Sequence, residues 1–200
     1  MAAPFVLPLY PLEERVLLPG ESISFAPAQV WSRALLAKAQ RFGNAVVASL
    51  VDGESVHEIA VTARLSVGEG GEATLRGLAR CRLLSLVSEK TLLVRAHRYP
   101  DSTPEAARAE QLATLLRARY SRLQRSLGRT GVPASRQALS ALTWRITADI
   151  GFTAEQQQGF LNVVDPLTRG RLLLVAVREL ERREKFLRPF AALRSTTPWN

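Results

Sequence analysis

The hydrophobic period of this chain changes once, at Asp101-Ser102-Thr103-Pro104, and that change limits the fold more than any other feature. Before it, apolar residues come in short runs punctuated by turn residues. His57 to Val67 sets Ile59, Val61, Ala63, Leu65 and Val67 at every second position, the alternation of a strand with one buried face. Gly68-Glu69-Gly70-Gly71 reads as a hairpin loop, followed by apolar runs at Ala73 to Ala79, Cys81 to Val87 and Thr91 to Tyr99, with Glu89-Lys90 as a tight turn. Upstream, Phe5 to Leu9 and Val16 to Leu18 are apolar, and Pro19-Gly20 supplies a turn before the alternating Ile23 and Phe25. Trp31, Leu35, Ala39 and Phe42 recur at helical spacing ahead of Gly43, a good helix stop, and Ala45 to Val51 is a buried-strand candidate. Six or seven strands with one helix are expected, rolled into a partial barrel because closure protects strand edges.

After the switch the period is helical. Thr103 is expected to cap the first helix and Pro104 to open it. Leu112, Leu116, Tyr120, Leu123 and Leu127 form its apolar stripe, and Gly128 to Pro133 is a loop. Ala138 to Ile150 is a second helix. Thr153 with Gln156 forms a capping-box signal for a third, and Asp165-Pro166 opens a fourth that runs towards Leu187. The expected class is α+β: a β-rich subdomain at 1–100, a bundle of about four helices at 101–188, and a flexible tail at 189–200.

Composition removes several kinds of chemistry. Of 200 residues, Cys81 is the one cysteine, so disulfides within the chain and multi-cysteine zinc sites are excluded. Cys81 lies between Arg80 and Arg82, but strand alternation turns those side chains away, and a buried, inert thiol is expected. His57 and His97 have no fixed acid partner in the sequence. Gly68 to Gly71 leads into a strand with no Lys-Ser or Lys-Thr, so it is not a phosphate loop, and no Gly-x-Ser-x-Gly elbow occurs. Ser88 and Lys90 sit at a turn, where the lysine would be solvated rather than catalytic. No catalytic residue, metal site or cofactor is expected. The longest apolar runs fall far short of the roughly 20 residues that span a bilayer, and the N-terminus lacks a secretory pattern. A cytoplasmic protein without membrane contact is expected.

Charge points to a partner rather than to a reaction. Lys plus Arg number 27 against 18 Asp plus Glu, a formal +9. The first hundred residues hold eleven basic and nine acidic side chains; the second hundred hold sixteen and nine. In the helix after Pro104, Arg108, Arg119, Arg122, Arg125 and Arg129 gather away from the leucine stripe; in the last helix Arg171, Arg178, Arg182 and Lys185 share a face. Arg119, Arg122, Arg125, Arg178 and Arg182 are the candidate anion-binding residues.

The order of motifs resembles the N-terminal domain of the Lon protease family. Leu7-Pro8-Leu9-Tyr10-Pro11-Leu12, then Val16-Leu17-Leu18-Pro19-Gly20, resembles that domain's opening strand and its apolar run ending in Pro-Gly. His57 to Leu65 is similar to its second motif, with Ala60 where the family usually has glycine. Leu75-Arg76-Gly77-Leu78-Ala79-Arg80-Cys81-Arg82-Leu83 is similar to its third, with Cys81 in place of a larger apolar residue. Glu155-Gln156-Gln157 and Asp165-Pro166 resemble its helical part, as in bacterial Lon. The resemblance spans about residues 5–187. It implies a PUA-like β domain joined to helices, a module that holds substrate proteins and helps assembly without ATPase or protease chemistry. The partners implied are unfolded or client polypeptides, a protease acting in trans, and a second copy of the chain. The candidate peptide-binding residues are Leu17, Phe25 and Trp31, where an apolar run meets the first helix. The alternative function is an RNA-binding PUA-like module that uses the basic helix faces.

Overall fold

The computed structural model describes residues 3–26, 30–53, 55–69, 71–88, 92–129 and 137–187, with backbone alone for 30–33. The expected tail at 189–200, the Glu89-Lys90 turn and the Trp31 side chain lie outside the described residues.

Among the described residues seven strands form one sheet system: β1 (Phe5–Leu12), β2 (Ser22–Phe25), β3 (Ala45–Asp52), β4 (Ser55–Val56), β5 (Ile59–Val67), β6 (Ala73–Ser88) and β7 (Leu93–Arg98). The order β1-β7-β6-β5-β3 is antiparallel at each step. β1 then pairs with β3 in parallel, Leu9 opposite Val47, which closes the ring. Closure leaves no edge among those five strands where their pairings run. The interior is packed by Leu9, Val47, Ala60, Cys81, Val94 and Ala96. Burial pushes the Cys81 thiol up to about 12, so it remains a neutral thiol at physiological pH.

The runs expected as two strands, Ala73 to Ala79 and Cys81 to Val87, are one 16-residue strand, β6. It carries β5 and β2 on its two edges near Leu75, then β7 beyond Cys81. Gly77 is the crossing point. The Gly77 amide donates to the Glu21 carbonyl at 2.9 Å, and the Gly20 amide donates to the Gly77 carbonyl at 3.0 Å. Val16, Leu17 and Leu18 are thereby buried without being a strand.

Five helices are described: α1 (Val30–Arg41), α2 (Ala106–Ser126), α3 (Leu139–Asp149), α4 (Ala154–Asn162) and α5 (Pro166–Leu187). The start of α2 corrects the sequence expectation. Glu105, not Thr103, stands at the N-cap, and no side chain caps the helix. The Ser102 amide is already engaged by the Val164 carbonyl, and the Glu105 carboxylate is held by Arg108 at 2.9 Å. At α4 the capping box forms: the Gln156 amide donates to Thr153 Oγ1, and the Thr153 amide to Gln156 Oε1. Asp165 caps α5 by accepting from the Leu167 and Thr168 amides. The Thr168 hydroxyl and these amides hold the Asp165 carboxyl below its ordinary range.

The chain divides into two compact units. The first joins Met1–Ser102 with Thr147–Val164, and the second joins Thr103–Ile146 with Asp165–Asn200. In the first unit α4 packs on β5, where Gln158 Nε2 donates to the Ile59 carbonyl at 2.8 Å. Arg80, on β6, is 4% exposed; it donates to the Leu161 and Val163 carbonyls and pairs with Asp101. In the second unit α2 and α5 run in the same direction, since Leu112 lies against Gly170 and Arg119 bonds Glu181. Its interior holds Leu116, Tyr120, Leu142, Ile146, Leu173 and the fully buried Arg169. The Arg169 guanidinium stacks on the Trp144 ring at 3.6 Å, and its Nε donates to Thr143 Oγ1 at 2.9 Å.

Candidate functional site

The first unit exposes its apolar side chains most densely at the outer end of β6. β5 begins at Ile59, opposite Arg82. Leu83 still donates its amide to the Glu58 carbonyl at 2.8 Å, and beyond it no described strand pairs with β6 on that side. Residues 84–88 are therefore paired with β7 alone. The register with β7 shifts twice, between Leu83 and Ser85 and between Leu86 and Ser88, so Leu84 and Val87 are the additional residues. Leu84 is 52% exposed, Leu86 47% and Val87 46%. Strand edges are usually guarded by charges or proline. This one instead carries three apolar side chains within four residues, with Ser85 between Leu84 and Leu86. Its base is marked by an ion pair, Arg82 Nε to Glu58 Oε1 at 2.6 Å, which holds the Glu58 carboxyl below its ordinary range.

A second surface belongs to the helical unit. Arg119, Arg122 and Ser126 recur along α2 at spacings that share one helix face, and Arg178, Glu181, Arg182 and Lys185 do so along α5. These residues, with Glu184, line a groove of about 640 Å³. Arg119 is half-buried and bonds Glu181 Oε2 at 3.2 Å. Arg182 bonds Glu179 at 2.6 Å. Arg122, Arg178 and Lys185 have no acidic partner among the described residues.

The candidate residues read from the sequence fall as follows. Leu17 is 1% exposed and packs beneath Gly77. Phe25 is half-buried at the end of β2, its ring 5.1 Å from that of Tyr10. The Trp31 side chain lies outside the described residues. Arg119, Arg122, Arg178 and Arg182 come together in the groove; Arg125 does not line it and donates to the Ser121 carbonyl. The apolar end of β6 is not legible in the sequence. The Cys81 to Val87 run looks like interior strand, and only the position where β5 starts reveals that its outer half is uncovered.

Among the described residues no group of three or more His, Cys, Asp or Glu side chains could hold a metal ion, and no helix is long and apolar enough to cross a membrane.

Comparison with solved structures places this architecture among Lon N-terminal domains. The chain is similar to the N-terminal domain of the Mycobacterium avium complex Lon protease, with a TM-score of 0.69 and 20% identity, over 87% of this chain and 98% of that one. It is also similar to a Lon N-terminal domain protein from Xanthomonas campestris, with a TM-score of 0.59 and 23% identity, over 86% and 98%. No curated protein sequence matches the chain. The family model for the ATP-dependent protease La (LON) substrate-binding domain matches residues 6–179. The chain belongs to the LON substrate-binding domain family.

Proposed function

We propose that this chain is a non-catalytic protein-binding module that holds extended or unfolded client polypeptides at the outer end of β6. The carrying observation is the combination there of a strand edge that no described strand covers with three exposed apolar side chains. An extended client adds a strand along residues 84–88, its main chain bonding the free edge and its alternate apolar side chains covering Leu84, Leu86 and Val87. Main-chain pairing does not read sequence, so a range of clients is accepted. Presentation of such clients to a protease acting in trans is the adaptor form of the same activity.

The test uses reduced, carboxyamidomethylated lysozyme, an unfolded polypeptide of basic charge, titrated against the full chain by fluorescence anisotropy. The double variant Leu84→Ser/Val87→Ser is expected to bind about tenfold more weakly or worse, a loss of about 1.4 kcal/mol. Its melting temperature should stay nearly unchanged, because exposed positions contribute little to stability. Unchanged affinity in this variant would refute the β6 site.

A further inference from the structure

The groove between α2 and α5 has a charge pattern that the β6 proposal does not use. Part of it is explained within the unit. Two helices that run in the same direction bring their negative ends to one side, and a cation in each last turn offsets them. Arg125 and Lys185 are those cations. Arg122 and Arg178 lie earlier in their helices, are exposed, and have no acidic partner among the described residues. Five cations line the groove against two carboxylates, Glu181 and Glu184, with a third, Glu179, on Arg182, so the groove keeps a positive excess.

We infer that this groove is a docking site for an acidic segment of a partner polypeptide. The cations supply the attraction: Arg122 and Arg178 are free to fork onto carboxylates. Arg119 and Arg182 are already paired, with Glu181 and Glu179, which leaves Arg122, Arg178 and Lys185 as the cations without an acidic partner among the described residues. The family match over residues 6–179 is to the substrate-binding domain of a protease, which favours a polypeptide over a nucleic acid as the anionic partner. The volume, about 640 Å³, suits a few residues of one chain rather than a folded surface. This site is independent of the β6 proposal, since it uses another unit and other residues.

The experiment titrates the full chain with a fluorescein-labelled twelve-residue peptide rich in Glu and Asp. The peptide is expected to bind at low salt and to weaken as salt rises, because exposed charges are screened. Arg122→Glu/Arg178→Glu is expected to weaken it by about tenfold or more, with unfolded lysozyme bound as by the parent chain. Arg122→Gln/Arg178→Gln, which adds no repulsion, should give a smaller loss in the same direction. Arg122→Lys/Arg178→Lys should retain most of the binding. The inference is overturned if the peptide binds the parent and the Glu variant equally, or does not bind at low salt. It is also overturned if a twelve-nucleotide oligouridylate binds more tightly than the peptide and is lost in the same variants, which would make the groove a nucleic-acid site.

Discussion

Replacing Arg80 by methionine is expected to lower the free energy of unfolding by about 3–5 kcal/mol, the range for removing one partner of a buried ion pair. Arg80 projects from the face of β6 opposite Cys81, and both residues are buried. One guanidinium nitrogen donates to the Leu161 carbonyl at 2.8 Å and the Val163 carbonyl at 3.0 Å. The other donates to Asp101 Oδ1, and the guanidinium lies 5.1 Å from the centre of the Tyr99 ring. One side chain therefore ties β6 to the end of α4 and to the segment leaving β7. Methionine keeps much of the volume but leaves two carbonyls and a carboxylate without these donors. Arg80→Lys should recover little, since a single ammonium cannot span the carbonyls and the carboxylate as the planar fork does. Urea unfolding followed by circular dichroism reads the effect as a lower midpoint at unchanged slope. A loss below about 1 kcal/mol would show that these contacts do not hold α4 to the sheet.

Gly77→Ala is expected to destabilise by about 3 kcal/mol or more, at the upper end for overpacking. A Cβ at this position would overlap the Leu18 carbonyl oxygen and lie 3.1 Å from the carbonyl carbon and 3.2 Å from Leu17 Cγ. The first two are backbone atoms, held in place by the hydrogen bonds from Gly77 to Glu21 and from Gly20 to Gly77. Relief requires the 16–21 segment to lift off β6, which uncovers Leu17 and Leu18. Gly159→Ala is the opposing control. Gly159 lies inside α4 with nothing within 4 Å of the added Cβ, so alanine should stabilise by up to about 1 kcal/mol through helix propensity. Equal effects of the two substitutions would contradict this account of Gly77.

The strands and helices are legible in the sequence because their periods are local. Ile59 to Val67 alternates as a strand must, and Thr153 with Gln156 announces α4. The arrangement is less legible because it depends on partners distant in the chain. Ring closure rests on the parallel pairing of Leu9 with Val47, which no local pattern reports. The burial of Arg80 beside Cys81 shows that both faces of β6 are covered there, whereas alternation suggests one wet face. The site of α4 is fixed by Gln158, a buried polar residue whose Nε2 donates to the Ile59 carbonyl and to Asn162 Oδ1. Sequence periodicity also groups the arginines of α2 and of α5, but only the packing of the two helices makes them walls of one groove. The apolar end of β6 is exposed for a reason of length: the strand outruns β5 by six residues, Leu83 to Ser88.

The central claim is that an unfolded chain pairs with the free edge of β6. Hydrogen exchange of the full chain, with and without saturating reduced and carboxyamidomethylated lysozyme, tests it most directly. The account predicts that exchange at residues 84–88 slows by about tenfold or more on binding, as newly paired amides do, while residues 119–126 and 178–185 exchange as before. Saturation of the chain with no added protection at 84–88 would contradict it.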